Sequence, residues 1–400
     1  DSVSSSFPSY DEFGWDDISV ERFQKLHEES LAMRERSVFF DACEVKKDDE
    51  IVDDGRQHVE LSASFKERVK TRYRELYLNA VEVAMEEKPD VKLVALAESL
   101  KVRVISKGPA FTYFVLKPIQ KFLHNRMRRF RTFSFGPDKP VTAEGLTQFF
   151  FPRPLTEEQS RDPLLGRLFH SLDYESATDL LDPEVSERVA SAICSVVFPR
   201  IRVHLRAVLT RLFTMALTGH MVEGAPQEWG QLMGSIVSFI VLCVANAAVC
   251  RVSYEISENV RSNLEDCPVT VNGDDGLVLA SAKFSEVWQS VAASAGLKPS
   301  IGKTYSHPVY ANINSTSFEF DEETVSLKLI PYVNMGLVFG LKRSGGAVDL
   351  VEEDGTETEY SASIGAVHRQ LLNSCPSNLR IQLHKLFLDE NRQRLEKVRV

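Results

Sequence analysis

Residues 269–279 read Val-Thr-Val-Asn-Gly-Asp-Asp-Gly-Leu-Val-Leu, two short β-type runs around a cluster of turn formers. That pattern predicts a tight hairpin with Asp274 and Asp275 adjacent at its tip. Two carboxylates held together repel unless a proton or a cation lies between them. Oxygen ligands on a rigid loop suit Mg²⁺, which takes one or two protein carboxylates together with substrate phosphates. A solvated turn uses the same residue types, so this stretch alone leaves both readings open.

Other chemistry-bearing residues precede and follow it. Leu172-Asp173-Tyr174-Glu175-Ser176-Ala177-Thr178-Asp179 leads to Asp182-Pro183-Glu184, an N-cap acid, a proline at the first helical position and a first-turn glutamate. Asp173 is therefore expected at a strand end and Asp179 in the turn before a helix. Lys101, Arg103 and Lys107 interleave with Val102, Val104 and Ile105. An alternating strand aligns Lys101 and Arg103 on one side, with Lys107 joining them after a turn or bulge. A basic segment through Lys117, Lys121, Arg126, Arg128, Arg129 and Arg131 follows. It reads either as a solvated basic face or as a channel for triphosphates and a nucleic-acid backbone. Gly230-Gln231-Leu232-Met233-Gly234-Ser235 is a flexible turn before an uncharged helix, and Gly296 to Lys303 is a turn carrying Lys298 and Lys303.

The elements that must hold these residues are legible from periodicity. A helix is expected over 61–85, with Phe65, Val69, Tyr73, Leu76, Val81 and Val83 as core candidates. Further helices are expected over 183–197, 201–221 and 284–295, and strands over 309–320 and 325–332. Two helices divided at Cys375-Pro376-Ser377 end the chain. The chain has 400 residues, enough for two or three subdomains. Its net charge of −10 is concentrated at the start, where residues 1–60 carry 17 acidic and 7 basic side chains. The remainder balances to zero, and 101–137 holds nine Lys/Arg and no Asp/Glu. A phosphate backbone meets that local field rather than the net charge. The six cysteines have no metal-ligand spacing and read as buried free thiols of a reducing compartment. The acidic, Ser-rich start has the pattern of neither a signal nor a transit peptide. Gln231 to Cys250 is uncharged and long enough to span a bilayer. Gly234, Ser235, Ser238 and Asn246 interrupt it, so a buried core helix is the expectation and no membrane partner is expected.

The order of these features resembles the RNA-dependent RNA polymerases of positive-strand RNA viruses, most closely the narnavirus, mitovirus and ourmiavirus-like group. Lys101 to Gly108 is similar to the basic fingers motif. Asp173 to Asp179, with its Ser-Ala-Thr-Asp ending, is similar to the first palm motif, and Gly230 to Phe239 to the second. Val271 to Gly276 is similar to the third, Gly296 to Lys303 to the fourth, and Asn312 to Thr316 lies where the next is expected. The resemblance spans residues 101–316 and is much less diagnostic over 1–90 and 345–400.

This resemblance implies an α+β right hand: fingers, thumb, and a palm built as a ferredoxin-like antiparallel sheet with helices. The expected divisions are an acidic arm over 1–60, fingers over 61–166, palm over 167–200, a fingers insertion over 201–229, palm again over 230–320 and thumb over 321–400. It implies two Mg²⁺ ions, with Mn²⁺ able to substitute, held by Asp173 and Asp274 with Asp275 in support. Lys101, Arg103 and Lys107 would meet triphosphate oxygens, and Lys303 would protonate the departing pyrophosphate. Partners would be an RNA template, its product strand and nucleoside triphosphates, in the host cytoplasm or alternatively the mitochondrion. One departure bears on sugar selection. The asparagine common eight residues after the second motif's glycine is here Leu242, and Asn246 lies one helical turn further. Asp179, with Ser238 on the helix opened by Gly234 and Ser235, is then expected to hold the ribose 2′-hydroxyl ahead of Asn246. The competing readings are a reverse transcriptase, a catalytically idle RNA-binding scaffold, and a membrane-anchored replication factor resting on residues 231–250.

Overall fold

The computed structural model describes residues 52–53, 59–60, 63–98, 101–133, 141–197, 203–340 and 361–396. Most of the acidic arm expected over 1–60, Cys43 included, and residues 341–360 of the expected thumb lie outside the described residues. Helix α1 (Ala63–Glu86) buries Tyr77, Leu78, Ala80, Val81 and Ala84. Of its expected core positions Val81 is buried, Tyr73 is exposed, and the side chains of Phe65 and Val69 lie outside the described ones. The buried face is chosen by the helices that pack on α1, which periodicity does not reveal.

Strands β1 (Asp90–Glu98) and β2 (Lys101–Lys107) form an antiparallel ribbon paired without interruption from Lys92↔Lys107 to Glu98↔Lys101. No bulge is needed: Lys101, Arg103, Ile105 and Lys107 share a face by simple alternation. The basic segment after it is mostly helix, α2 (Ala110–Met127), with Pro118 inside. Thr112, Val115, Leu116, Ile119, Leu123 and Met127 are buried at helical spacing. That packing offsets a proline cost of about 3 kcal/mol. Lys117, Lys121 and Arg126 are left on the exposed face.

Next come α3 (Ala143–Phe150), β3 (Leu168–Leu172), β4 (Tyr174–Glu175), the single-turn α4 (Ala177–Leu180) and α5 (Pro183–Val197). Asp182 accepts the Glu184 N–H at 2.7 Å, as its capping position predicts. Helices α6 (Val203–Thr218) and α7 (Ser238–Glu258) follow, then β5 (Val269–Asn272), β6 (Asp275–Ala280) and α8 (Phe284–Ser294). Strands β7 (Lys298–Pro299), β8 (Tyr305–His307), β9 (Tyr310–Ile313), β10 (Thr316–Asp321) and β11 (Ser326–Leu329) complete the centre.

The central sheet runs β8-β3-β6-β5 with every pair antiparallel. Numbered along the chain this is 4-1-3-2 with helices on the crossovers, the ferredoxin-like arrangement expected. Both faces are covered. Leu172, Val269, Val271, Val278 and Ala280 join the helical core, which includes Trp288 and the buried side of α7. Phe169, Leu277 and Leu279 join a second core with Phe150, Phe151, Phe318 and Phe320. Strands β3, β5 and β6 are therefore largely buried on both faces, the polar His170, Ser171 and Thr270 included, while Tyr305 and Ser306 of the edge strand β8 are exposed.

The stretch 309–320 is a hairpin rather than one strand. Asn314 and Ser315 both take positive φ, the two-residue turn geometry that matches strand twist. β10 continues its pairing into β11, so a boundary at 320 falls inside this small sheet. A third cluster joins Leu337 and Val338 to Val367 and Leu371 of α9 (Ser361–Ser374) and to Leu383 and Phe387 of α10 (Arg380–Glu390). α7 is long and apolar enough to cross a membrane. Here it packs against α2, α4, α5, α8, β5 and β6, and buries Ile240, Val241, Cys243, Asn246 and Cys250.

Candidate active site

The sheet register assembles the acids. Leu172 pairs with Gly276, so one step beyond the ladder Asp173 stands level with Asp275. The β5–β6 turn is Gly273-Asp274, closed by the Asn272↔Asp275 pair. Gly273 has φ +67°, and Asp274 is not among the positive-φ residues. This is the pattern of a hairpin turn with a left-handed first residue. Asp274 thus sits at the tip, while Asp275 is the first residue of its strand rather than a second tip residue.

Asp173 is fastened by the loop that carries Lys303. Its carbonyl accepts the Ser300 N–H and the Thr304 hydroxyl, both at 2.9 Å, and its N–H donates to Thr304 Oγ1 at 3.3 Å. That stitching brings Lys303 Nζ to 3.2 and 3.5 Å from the Asp173 carboxylate oxygens. Burial raises the Asp274 pKa, Asp173 raises it further, and Lys303 and Arg103 oppose the rise. Burial, then Asp274 and Asp173, push Asp275 up to about 6, against Lys303 and a backbone N–H from Asn314. The three carboxylates therefore feel one another, with two cationic side chains in their field.

A cation would relieve that repulsion. Among the described residues no group of three His, Cys, Asp or Glu forms a ready-made ligand set. The site offers one or two carboxylates at a time, which is how proteins hold Mg²⁺ when phosphates supply other ligands. The raised pKa of Asp275 has a consequence for stability. Its neutral form is favoured in the fold, so ionisation costs stability as pH rises from the ordinary carboxylate range through about 6. Asp275→Asn is expected to raise the melting temperature by a few degrees above pH 7 without metal. It should change nothing at pH 3.5, and a gain of equal size at both pH values would contradict this origin.

The basic strand and the Gly/Ser turn meet directly. The Ser106 N–H and hydroxyl donate to the Met233 carbonyl at 2.6 and 2.9 Å, and Arg103 reaches the Met233 sulfur at 3.8 Å. Gly234 has φ +108°, and a Cβ there would collide with the Ser106 carbonyl. Glycine is required because the two backbones touch. Arg103 is thereby brought towards Asp274, while Lys107 is exposed further along the same strand face. Lys101 begins that strand, and its side chain is not among those described.

Three sequence expectations are corrected here. Ser238 is buried and donates to Gln231 Oε1 at 2.7 Å, so its hydroxyl does not face a nucleotide. Ser235 is buried too, and its hydroxyl donates to the Ala216 carbonyl. Asn246 is fully buried with its amide turned to the Gly273–Asp275 backbone, so its amide is engaged within the fold. Asp179 remains exposed, one residue after Thr178, whose carbonyl receives the Gln231 N–H at 2.6 Å. Sequence reasoning passed over Gln231, which is buried and bonds Ser186 at 2.8 Å as well as Ser238. It also passed over Thr304. A glutamine in the turn between Gly230 and Gly234 is the signal the sequence offers for the first; Thr304 carries none.

No family model matches the chain. It is 30% identical over 316 residues to the RNA-dependent RNA polymerase of Ourmia melon virus (isolate Melon/Iran/VE9), covering 75% of this chain and 36% of that protein. The chain thus spans about a third of the length of this curated relative. In fold it is similar to the RNA-dependent RNA polymerase of a human picorbirnavirus, with TM-score 0.53, 12% identity, and coverage of 77% of this chain and 57% of that one. An insertion-loop deletion mutant of that polymerase gives TM-score 0.50 and 10% identity over 97% of this chain and 75% of that one. The chain is therefore similar in sequence to an ourmiavirus polymerase, as its motifs implied, and it has the right-hand polymerase fold.

Proposed function

We propose that this chain is the catalytic right hand of an RNA-directed RNA polymerase, extending an RNA strand on an RNA template from nucleoside triphosphates. The observation that carries the reading is the meeting of Asp173, Asp274 and Asp275 at one end of the sheet, with Lys303 and Arg103 in their field. In nucleotidyl transfer a 3′-oxygen attacks the α-phosphorus and the bond to pyrophosphate breaks. The protein's task is mainly placement and charge neutralisation. Asp173 and Asp274 would hold divalent metal, Mg²⁺ by its preference for oxygen, with Asp275 in support. Metal held there would supply charge neutralisation and activation of the attacking hydroxyl.

The residues of the chain divide the rest. Arg103 neutralises triphosphate oxygens, joined by Lys101 and Lys107 along the strand. Lys303 is tied to Asp173 while that carboxylate is uncompensated. Once the carboxylate is engaged, its ammonium is free to give a proton to the leaving pyrophosphate. Asp179, the exposed acid beside the Gln231 loop, accepts the ribose 2′-hydroxyl. The exposed lysines and arginines of α2 track the template backbone. Replication in the host cytoplasm belongs to this reading, and the buried free thiols of Cys194, Cys243, Cys250, Cys267 and Cys375 accord with a reducing compartment.

The direct test is primer extension on an RNA template with Mg²⁺, comparing ribo- and deoxyribonucleotides. Preference for deoxyribonucleotides would return the reverse-transcriptase reading, and no extension would return the idle scaffold. RNA affinity is expected to fall steeply with salt, because each neutralised phosphate releases counterions. Arg103→Ala is expected to raise the KM for nucleotide by about tenfold, the scale of one charge-assisted hydrogen bond. RNA binding that stays flat from 50 to 200 mM salt, a range over which phosphate contacts cost roughly 10³–10⁵ in affinity, would leave the tract a solvated face.

A further inference from the structure

Between the two aspartate-bearing segments lies a buried chain of hydrogen bonds. Asn246, in the middle of α7, points Nδ2 at three carbonyls of the turn: Gly273 at 3.0 Å, Asp274 at 3.3 Å and Asp275 at 3.4 Å. Its Oδ1 accepts the Tyr174 hydroxyl at 3.0 Å and the Cys250 thiol at 3.3 Å. The Tyr174 oxygen in turn accepts Trp288 Nε1–H at 3.0 Å. One helical turn before Asn246, Cys243 Sγ accepts the Gly273 N–H at 3.2 Å. Tyr174 directly follows Asp173 in the chain.

The proton directions in this chain are determined. Three carbonyls converge on one amide end of Asn246, so that end must be the NH₂. The oxygen end then faces Tyr174, which must donate. Tyr174 keeps a lone pair for Trp288, whose indole can only donate. The order is Trp288 to Tyr174 to Asn246 to the turn, with every polar group used. Without the amide, the three carbonyls would lose the side-chain donor they share.

We infer that Asn246 is the positioning residue of the double-aspartate turn, oriented through Tyr174 so that the turn keeps its place relative to Asp173. The importance of that placement for catalysis rests on the function proposed above; the clamp itself does not. Helix α7 grips both polar sides of the turn, the N–H through Cys243 and the carbonyls through Asn246. Leu242, at the position where the resemblance expects an asparagine, has no group that could do this.

The test uses the whole chain with Asn246→Ala and Tyr174→Phe, the latter removing a single hydroxyl. Three quantities are measured: amide hydrogen exchange over 270–277, Mn²⁺ binding by electron paramagnetic resonance, and single-nucleotide addition. Asn246→Ala is expected to speed exchange at Gly273–Gly276 by about tenfold or more, the scale of a lost buried hydrogen bond, with β3 and α8 amides unchanged. Mn²⁺ binding should weaken in parallel, and kcat should fall with little change in the KM for nucleotide. Tyr174→Phe should shift all three the same way by less, and it carries the test if Asn246→Ala does not fold. Turn exchange unchanged in Tyr174→Phe overturns the clamp, as does exchange that rises uniformly across the sheet. Loss of ribose discrimination in Asn246→Ala with unchanged exchange would overturn it in favour of a sugar contact. Hydrogen exchange needs no nucleotide, so an inactive wild-type chain would sink the proposed function and leave the clamp standing.

Discussion

Asp274→Asn is expected to leave the chain folded and able to bind RNA while nucleotide addition falls by at least ~10²–10³-fold, the cost of removing one preorganised electrostatic partner of the transition state. Asp274 stands at the tip of the β5–β6 turn, one residue from Asp275 and close enough to Asp173 to be raised by it. The substitution keeps the shape of the side chain and removes its charge. The fold already disfavours that charge, since burial raises the Asp274 pKa, so the melting temperature should not fall. The backbone bonds from Asn246 and Cys243 to the turn do not involve the carboxylate and should hold it in place. Single-nucleotide addition, salt-titrated RNA binding and thermal melting together check the prediction. Wild-type addition rates in the mutant would remove Asp274 from the chemistry. Loss of RNA binding along with activity would indicate damage to the channel instead.

Lys303→Leu is expected to slow the chemical step by ~10²–10⁴-fold, the range for a general acid, with RNA affinity nearly unchanged. At 1.36 kcal/mol per tenfold this is about 3–5 kcal/mol of barrier. Its loop is stitched to the Asp173 backbone through Ser300 and Thr304, which places the ammonium at the carboxylates although the side chain is largely exposed. Charge and proton donation are separable here. Lys303→Arg keeps the charge, but guanidinium does not give up its proton in proteins. If Lys303 is the acid, arginine should recover RNA and nucleotide binding without recovering the single-turnover rate. Full recovery by arginine would make Lys303 an electrostatic residue only. An unchanged rate in Lys303→Leu would make it a surface lysine that pairs with Asp173.

The identity of the acids was legible because their local setting is encoded locally. Asn-Gly-Asp-Asp between β-branched runs specifies a hairpin in any context that allows one, and Asp182-Pro183-Glu184 specifies a helix start. Helices α1, α5, α6, α7 and α8 were legible for a related reason: each carries its apolar stripe or run within a single window. α2 is not legible as a helix because Pro118 and its lysines and arginines dominate the local pattern. Its buried face becomes visible only against α1 and α6. The 309–320 stretch reads as one strand because Asn314-Ser315 is a weak turn signal without its pairing partner.

The sugar-side residues show the limit most clearly. From the sequence, Ser235, Ser238 and Asn246 are polar groups on one helix opening, and any of them could face a nucleotide. Packing turns all three inward: Ser235 to Ala216, Ser238 to Gln231, and Asn246 to the aspartate turn. A buried polar group must find a partner, and which partner depends on elements tens of residues away. Only the assembled chain could show that Tyr174, Asn246 and Trp288 form one network, because no short window contains more than one of them.

The sequence by itself determined which residue types this protein brings to its chemistry, the order in which they occur, and the local turns and helices that carry them. The tertiary structure decided which of those residues meet. The pairing of Leu172 with Gly276 sets Asp173 level with Asp275, and the Ser300–Thr304 loop sets Lys303 on Asp173. The helix register of α7 decides that Asn246 serves the backbone of the turn rather than a ligand. Strand register and helix rotation are chosen by burial summed over the whole core, and no stretch of sequence contains that sum.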